Sequence, residues 1–152
     1  MPEIAVPVAL AALAALMLGT IVTFALRALA APATSPDRLV AELRLAQVAA
    51  MVLALTAGVS VGLAIGHGPR PDLSVEVALG GILFLVAAIA PFQDPRLALT
   101  IVALGFAAHA VTDVMHRPGL LPSDLATEWY FVGSACLDAV VGALCYLPLL
   151  KR

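Results

Sequence analysis

Five apolar stretches alternate with short breaks rich in proline, glycine and charge. They run over about Ile4–Ala30, Leu39–Gly66, Val75–Ala90, Arg96–Met115 and Glu128–Leu150. A helix rising 1.5 Å per residue needs about 20 apolar residues to cross a hydrocarbon layer about 30 Å thick. Four segments meet that length. The third is short, so four spans with a re-entrant third segment is the alternative topology. Lipid offers no hydrogen-bond partner to a bare backbone group, so apolar runs of this length fold as helices. The short alternating segments of a membrane β-barrel do not occur in the sequence. The pattern predicts an all-α integral membrane bundle of about five transmembrane helices, a single domain over residues 1–152.

The breaks carry their own signals. Pro32-Ala-Thr-Ser-Pro-Asp37 reads as a turn, with Ser35 as helix cap and Pro36 at the first helical position. Residues 67–72, 91–95 and 117–127 form the other connections. The first segment begins Met1-Pro2-Glu3 without basic residues, and its apolar run is too long for a secretory leader. A retained helix is expected.

Composition agrees with the pattern. Hydrophobic residues make up 62% and charged residues 12% of the chain, and mean hydropathy is +1.07. That charged share is about half of what soluble domains carry. The lipid bilayer is therefore the first partner. A net charge of −2 and the lack of a basic patch argue against nucleic acid. Arg27, Arg38, Arg44, Arg96, Lys151 and Arg152 fall on one side of the five-span topology, and Arg70 and Arg117 on the other. Basic residues stay cytoplasmic, which places the N-terminus outside and the C-terminus inside.

Small residues recur along the second segment at Ala46, Ala50, Ala54, Gly58, Gly62 and Gly66. Segment one echoes them with Ala11, Ala15 and Gly19. Such stripes let helices approach closely in lipid. Packing inside the bundle is the first reading of Gly58, Gly62 and Gly66, and a homo-oligomer seam the second. Cys136 and Cys145 lie nine residues apart on one segment, too far to pair with each other, and read as plain buried thiols. Arg27, Glu42 and Arg44 are near enough to the cytoplasmic ends to snorkel, and Glu42 is placed to pair with Arg38. Trp129 and Tyr130 read as an interfacial belt.

Ionisable groups inside a span are costly and need a reason. His109, Asp113 and His116 share a stripe about 60° wide on segment four. Tyr130, Ser134 and Asp138 share one about 80° wide on segment five. Counted from the helix ends, Asp138 and His109 lie at depths that agree to about one turn, so antiparallel neighbours would bring them together. Glu76 opens segment three near the level of His116. The candidate site is therefore Glu76, His109, Asp113, His116 and Asp138 in the outer half of the bundle, with His109, Asp113 and His116 as candidate metal ligands. These groups suit a divalent metal, a proton relay or mutual hydrogen bonding.

From Gly58 to Leu147, about 60% of the chain, the sequence resembles a family of small bacterial multi-pass membrane proteins of unassigned function. The likeness rests on the glycine-rich second segment leading into Leu73-Ser-Val-Glu76, on His109-x-x-x-Asp113-x-x-His116, and on Cys136-Leu-Asp138. Thr112 stands where the family has tryptophan, and Arg117 where it has a second histidine. The resemblance implies a bacterial inner membrane and no particular activity. A looser similarity runs to ceramidase-type membrane hydrolases, which gather His and Asp from several helices around zinc. The leading expectation is a structural or accessory membrane component, alone, as a homo-oligomer or within a larger complex. The alternative is a metal-dependent enzyme using zinc or another divalent ion on a lipid or other apolar substrate. A small transporter or proton-coupled device is third, hinted at by Gly80-Gly81.

Overall fold

The computed structural model describes the backbone of residues 2–68, 70–117 and 119–151, with side chains from Val8 onward. Pro69, Pro118 and Arg152, which carried loop and charge expectations, lie outside the described residues. Among those described, five α-helices follow one another: α1 (Pro2–Ala30), α2 (Pro36–Gly66), α3 (Leu73–Ile89), α4 (Pro95–Met115) and α5 (Glu128–Leu150). All five are long and apolar enough to cross a membrane. The protein is a multi-pass α-helical membrane bundle.

The helix ends follow the expected chemistry. The Ser35 hydroxyl accepts from the Arg38 N–H at 3.3 Å, and Pro36 opens α2. Asp94 caps α4 in the same way, accepting from Leu97 N–H at 3.1 Å. Helix α2 stops where Gly68 turns to φ +81°, a conformation that favours glycine. The third segment is longer than the sequence suggested. Helix α3 starts two residues earlier, and a 3₁₀ turn over Ala90–Phe92 extends it, giving a candidate span of 20 residues from Leu73 to Phe92. Gly80-Gly81 does not break it.

Helix α2 is the hub and touches all four others, while α4 packs on α5, α2 and α3, and α1 on α2 and α5. The Lys151 end holds the α1–α2 and α3–α4 connections, and the Asp124 end holds the other two. The main apolar core joins all five helices through residues such as Ile21, Leu45, Leu53, Ala87, Leu99 and Val141. A smaller cluster of Ala64, Leu73, Leu125 and Phe131 closes the Asp124 end.

Close helix approach does not use the glycines expected to supply it. A Cβ on Gly58, Gly62 or Gly66 would meet nothing within 4 Å, and all three point away from the bundle. The reason is rotational. Helix α2 turns Leu53, Ala57 and Ala64 inward, which leaves the glycine stripe outward. The tight contacts belong to Gly80, Gly105 and Gly142. A Cβ on Gly80 would sit 2.5 Å from Val61 Cγ2 and 3.2 Å from the Ala57 carbonyl oxygen. On Gly105 it would sit 2.5 Å from Leu53 Cδ2, and on Gly142 3.3 Å from the Ala103 carbonyl oxygen. Gly80→Val should therefore destabilise the bundle by about 1–3 kcal/mol through overpacking. Gly62→Ala should be neutral or slightly stabilising, since alanine favours a helix. Thermal unfolding in detergent checks the pair, and equal losses would contradict this packing.

Basic residues gather as their sequence positions implied. Arg38, Arg96 and Lys151 crowd the Lys151 end and donate to carbonyls there: Arg38 Nη2 to Pro148 at 2.7 Å, Arg96 Nη2 to Leu149 at 2.8 Å, and Lys151 Nζ to Leu29 at 2.8 Å. Glu42 does not snorkel. It is 1% exposed and accepts from Arg38 Nε at 2.6 Å, the pairing its i+4 spacing allowed.

Candidate functional site

Each member of the candidate site comes from a helix whose packing fixes it. Helices α4 and α5 are antiparallel neighbours, so His109 and Asp138 meet at matching depth. His109 Nδ1 lies 2.5 Å from Asp138 Oδ2 and 3.7 Å from Asp113 Oδ2. Two turns beyond His109 toward the Asp124 end, His116 Nε2 lies 3.2 Å from Glu76 Oε1 on α3. All five residues are at most 4% exposed. The structure thus brings together every residue of the expected cluster. It forms a lower group of His109, Asp113 and Asp138 and an upper pair of His116 and Glu76.

Donor atoms of His109, Asp113 and Asp138 lie within 4.8 Å of one another. Bonds of about 2.1 Å to one ion would set such atoms roughly 3–4 Å apart. Side-chain adjustments of about an ångström gather them. Asp138 thus takes the place in this triplet that the sequence pattern offered to His116. The spacing on α4 favoured His116, but its ring turns toward α3.

Polar atoms in the cluster are left over. Asp113 Oδ2, Asp138 Oδ1, Glu76 Oε1 and His116 Nε2 are buried without a hydrogen-bond partner. Glu76 Oε1 and His116 Nε2 face only each other at 3.2 Å, and most buried polar atoms are satisfied, so this group calls for a ligand, a water or shared protons. A cavity of about 10 Å³ lies among them, lined by Ser60, Glu76, His109, Asp113, His116 and Tyr130 with apolar neighbours. That is room for one water or a bare ion. Two carboxylates, Glu76 and Asp113, line it, with Asp138 behind His109, and among the described residues no lysine or arginine pairs with the three.

The histidines are held from behind. Ser60 Oγ lies 3.1 Å from His109 Nε2, so one hydroxyl on α2 orients the ring whose other nitrogen faces the carboxylates. His116 Nδ1 lies 2.8 Å from the Thr112 carbonyl, which aims Nε2 at Glu76. Its ring stacks on Phe131 with centroids 4.1 Å apart and planes 13° apart.

Ser60 and Phe131 were not singled out from sequence. Ser60 had a signal: it lies six residues before Gly66, as His109 lies six before Met115, and both helices end on the same side. Phe131 had none beyond being aromatic. Tyr130 is not simply part of an interfacial belt; it is half-buried and faces the cavity, while Trp129 beside it stays exposed. His67 lies apart from the site, with Nδ1 2.8 Å from the Leu63 carbonyl.

Two openings flank the cluster. A polar vestibule of about 600 Å³ at the Asp124 end is lined by His116, Arg117, Ser123, Glu128 and Phe131 with Val114. A lateral, mostly apolar groove of about 260 Å³ lies between α1, α2 and α5. A loop clasp stands near the first. Arg70 donates to Asp124 at 2.7 Å and to Asp72 at 3.0 Å, tying the α2–α3 connection to the α4–α5 connection. Arg70 holds the Asp124 carboxyl down to about 2, and the two carboxylates hold the guanidinium above its usual range. A depressed carboxylate stabilises the clasp fully above its ordinary range near pH 4. That contribution fades as pH falls toward about 2. Amide exchange of the 120–127 connection should quicken modestly over that window. Asp124→Asn should show the quicker exchange at neutral pH. Indifference to both changes would dismiss the clasp.

No known protein family, characterised protein or solved structure matches this chain. Its class is set by fold and site: a multi-pass helical membrane protein enclosing a His/Asp cluster.

Proposed function

We propose that the cluster is a divalent-metal centre embedded in the membrane, with His109, Asp113 and Asp138 as ligands and His116 and Glu76 as neighbours. The observation that carries this reading is the buried convergence of His109, Asp113 and Asp138, whose ligand atoms lie within 4.8 Å of one another and include two carboxylate oxygens without a hydrogen-bond partner. Ionised carboxylates in a low-dielectric interior need a compensating cation; among the described residues no lysine or arginine supplies it, and two histidines face three carboxylates. Imidazole and carboxylate together suit zinc, manganese or iron(II). A bound divalent ion would supply Lewis-acid chemistry and activate water at neutral pH. The vestibule beside His116 supports a supply of ion and water from the aqueous side. The six basic positions counted in the sequence support a cytoplasmic Lys151 end and an outward Asp124 end, and the resemblance to small bacterial multi-pass proteins supports a bacterial inner membrane.

A second reading has its own observation. The 2.5 Å contact of His109 with Asp138 is a strut between α4 and α5, as a structural or accessory component would use. Elemental analysis of the detergent-purified protein separates the two. Near-stoichiometric zinc, manganese or iron that disappears in His109→Ala/Asp113→Ala is the result expected of a metal centre. Metal-free protein from metal-replete cells, equally folded in both forms, would leave the strut.

A further inference from the structure

The lateral groove has a specific relation to the cluster. Its walls are Leu10, Leu13 and Met17 of α1, Leu55 and Val59 of α2, and Leu137 of α5, among others. Tyr130 lines both the groove and the small cavity beside Asp113, and Ser134, one turn deeper on α5, lines the groove. These two side chains are the partition between lipid and the buried carboxylates. Among the described residues no charged side chain lines the groove.

Depth says what fits. Ser134 is six residues in from the start of α5, about 9 Å along the helix, and Leu137 about 14 Å. Half of a hydrocarbon core is about 15 Å. The groove therefore runs from the headgroup boundary toward the bilayer midplane, the course of one hydrocarbon chain of one leaflet. From Trp129 to Leu137 it measures about 12 Å, with the Tyr130 and Ser134 hydroxyls in its upper part and, deeper, Thr56, whose hydroxyl is turned back onto the Leu53 carbonyl. A second helix packs with its axis 8–10 Å away and would need a longer, shallower face.

We propose that this groove binds the hydrocarbon chain of a membrane lipid and presents the lipid's polar linkage to Tyr130 and Ser134, beside Asp113. The role of that lipid as substrate rests on the metal-centre reading; occupancy of the groove does not. Apolar side chains grip the chain, and the two hydroxyls meet the first polar atoms at its end.

Gly133 gives a clean test. It lines the groove, and a Cβ added there would meet nothing within 4 Å, so a large side chain fills the groove without crowding the bundle. The probe is a C16 fatty acid carrying a mid-chain diazirine, added to the full-length protein in phosphatidylcholine nanodiscs. Labelled residues are mapped by mass spectrometry, and metal content is measured on the same samples. Labelling should concentrate on Met17, Leu55, Val59 and Leu137 and fall at least tenfold in Gly133→Phe, with unfolding temperature unchanged. Ala11→Phe, on the α1 wall, repeats the block should the first variant misfold. Labelling spread equally over outward positions such as Leu104 and Val111, or indifferent to both fillings, would overturn the groove. Groove labelling in a chain that binds no metal would keep the lipid site and remove the metal-centre reading alone.

Discussion

Asp138→Asn is expected to weaken divalent-metal binding by at least about 100-fold while leaving the bundle folded. Asp138 is fully buried, and one carboxylate oxygen has no partner while the other meets His109. Asparagine has the same shape and still reaches His109. It carries no charge, and its carbonyl is a poor substitute for a carboxylate beside a cation. His109 and Asp113 would remain, so residual binding is expected, and it should weaken further on acidification as ligands gain protons. Competition against a chromogenic chelator at fixed pH measures the change. Ser60→Ala, which removes the group behind the His109 ring, should cost roughly 10–100-fold in the same assay. A strut predicts a different pattern. Asp138→Asn would then lose a charge-assisted hydrogen bond, about 1.5–3 kcal/mol of stability, with no metal in either protein. Unchanged affinity in Asp138→Asn would remove this residue from the ligand set.

Arg38→Met should destabilise the bundle by about 3–5 kcal/mol. The guanidinium is 3% exposed and joins three elements: Nε to Glu42 at 2.6 Å, Nη2 to the Pro148 carbonyl at 2.7 Å, and Nη1 to the Ala31 carbonyl at 3.4 Å. Removing it leaves Glu42 buried and uncompensated, and leaves the carbonyl end of α5 with Arg96 but without the Arg38 donor to Pro148. Most of the loss comes from the stranded carboxylate rather than from the worth of the pair. The double variant Arg38→Met/Glu42→Leu should therefore regain most of the stability, since an apolar pair of similar volume costs little in place of a buried ion pair. Unfolding in mixed micelles, run as a double-mutant cycle, reads the coupling. A loss below about 1 kcal/mol for Arg38→Met would mean that water reaches this pair, as at a surface salt bridge.

Long apolar runs and their proline-rich breaks determined the five helices, their order and most of their ends. This was possible because membrane insertion depends on local hydropathy, and caps such as Ser35 and Pro36 act within one turn. Helical periodicity also put His109, Asp113 and His116 on one stripe, and counting from the ends put Asp138 at the depth of His109. Only the tertiary structure decided how each helix is rotated about its own axis. In lipid the outward and inward faces are both apolar, so no amphipathic contrast marks which small residues meet a neighbour. That is why Gly80, Gly105 and Gly142 make the close contacts while Gly58, Gly62 and Gly66 face outward. Rotation likewise turned Tyr130 inward, brought Ser60 behind His109, and chose Asp138 over His116 as the third member of the triplet. Side chains far apart in sequence share one cavity only once five helices have packed, and no local pattern carries that information.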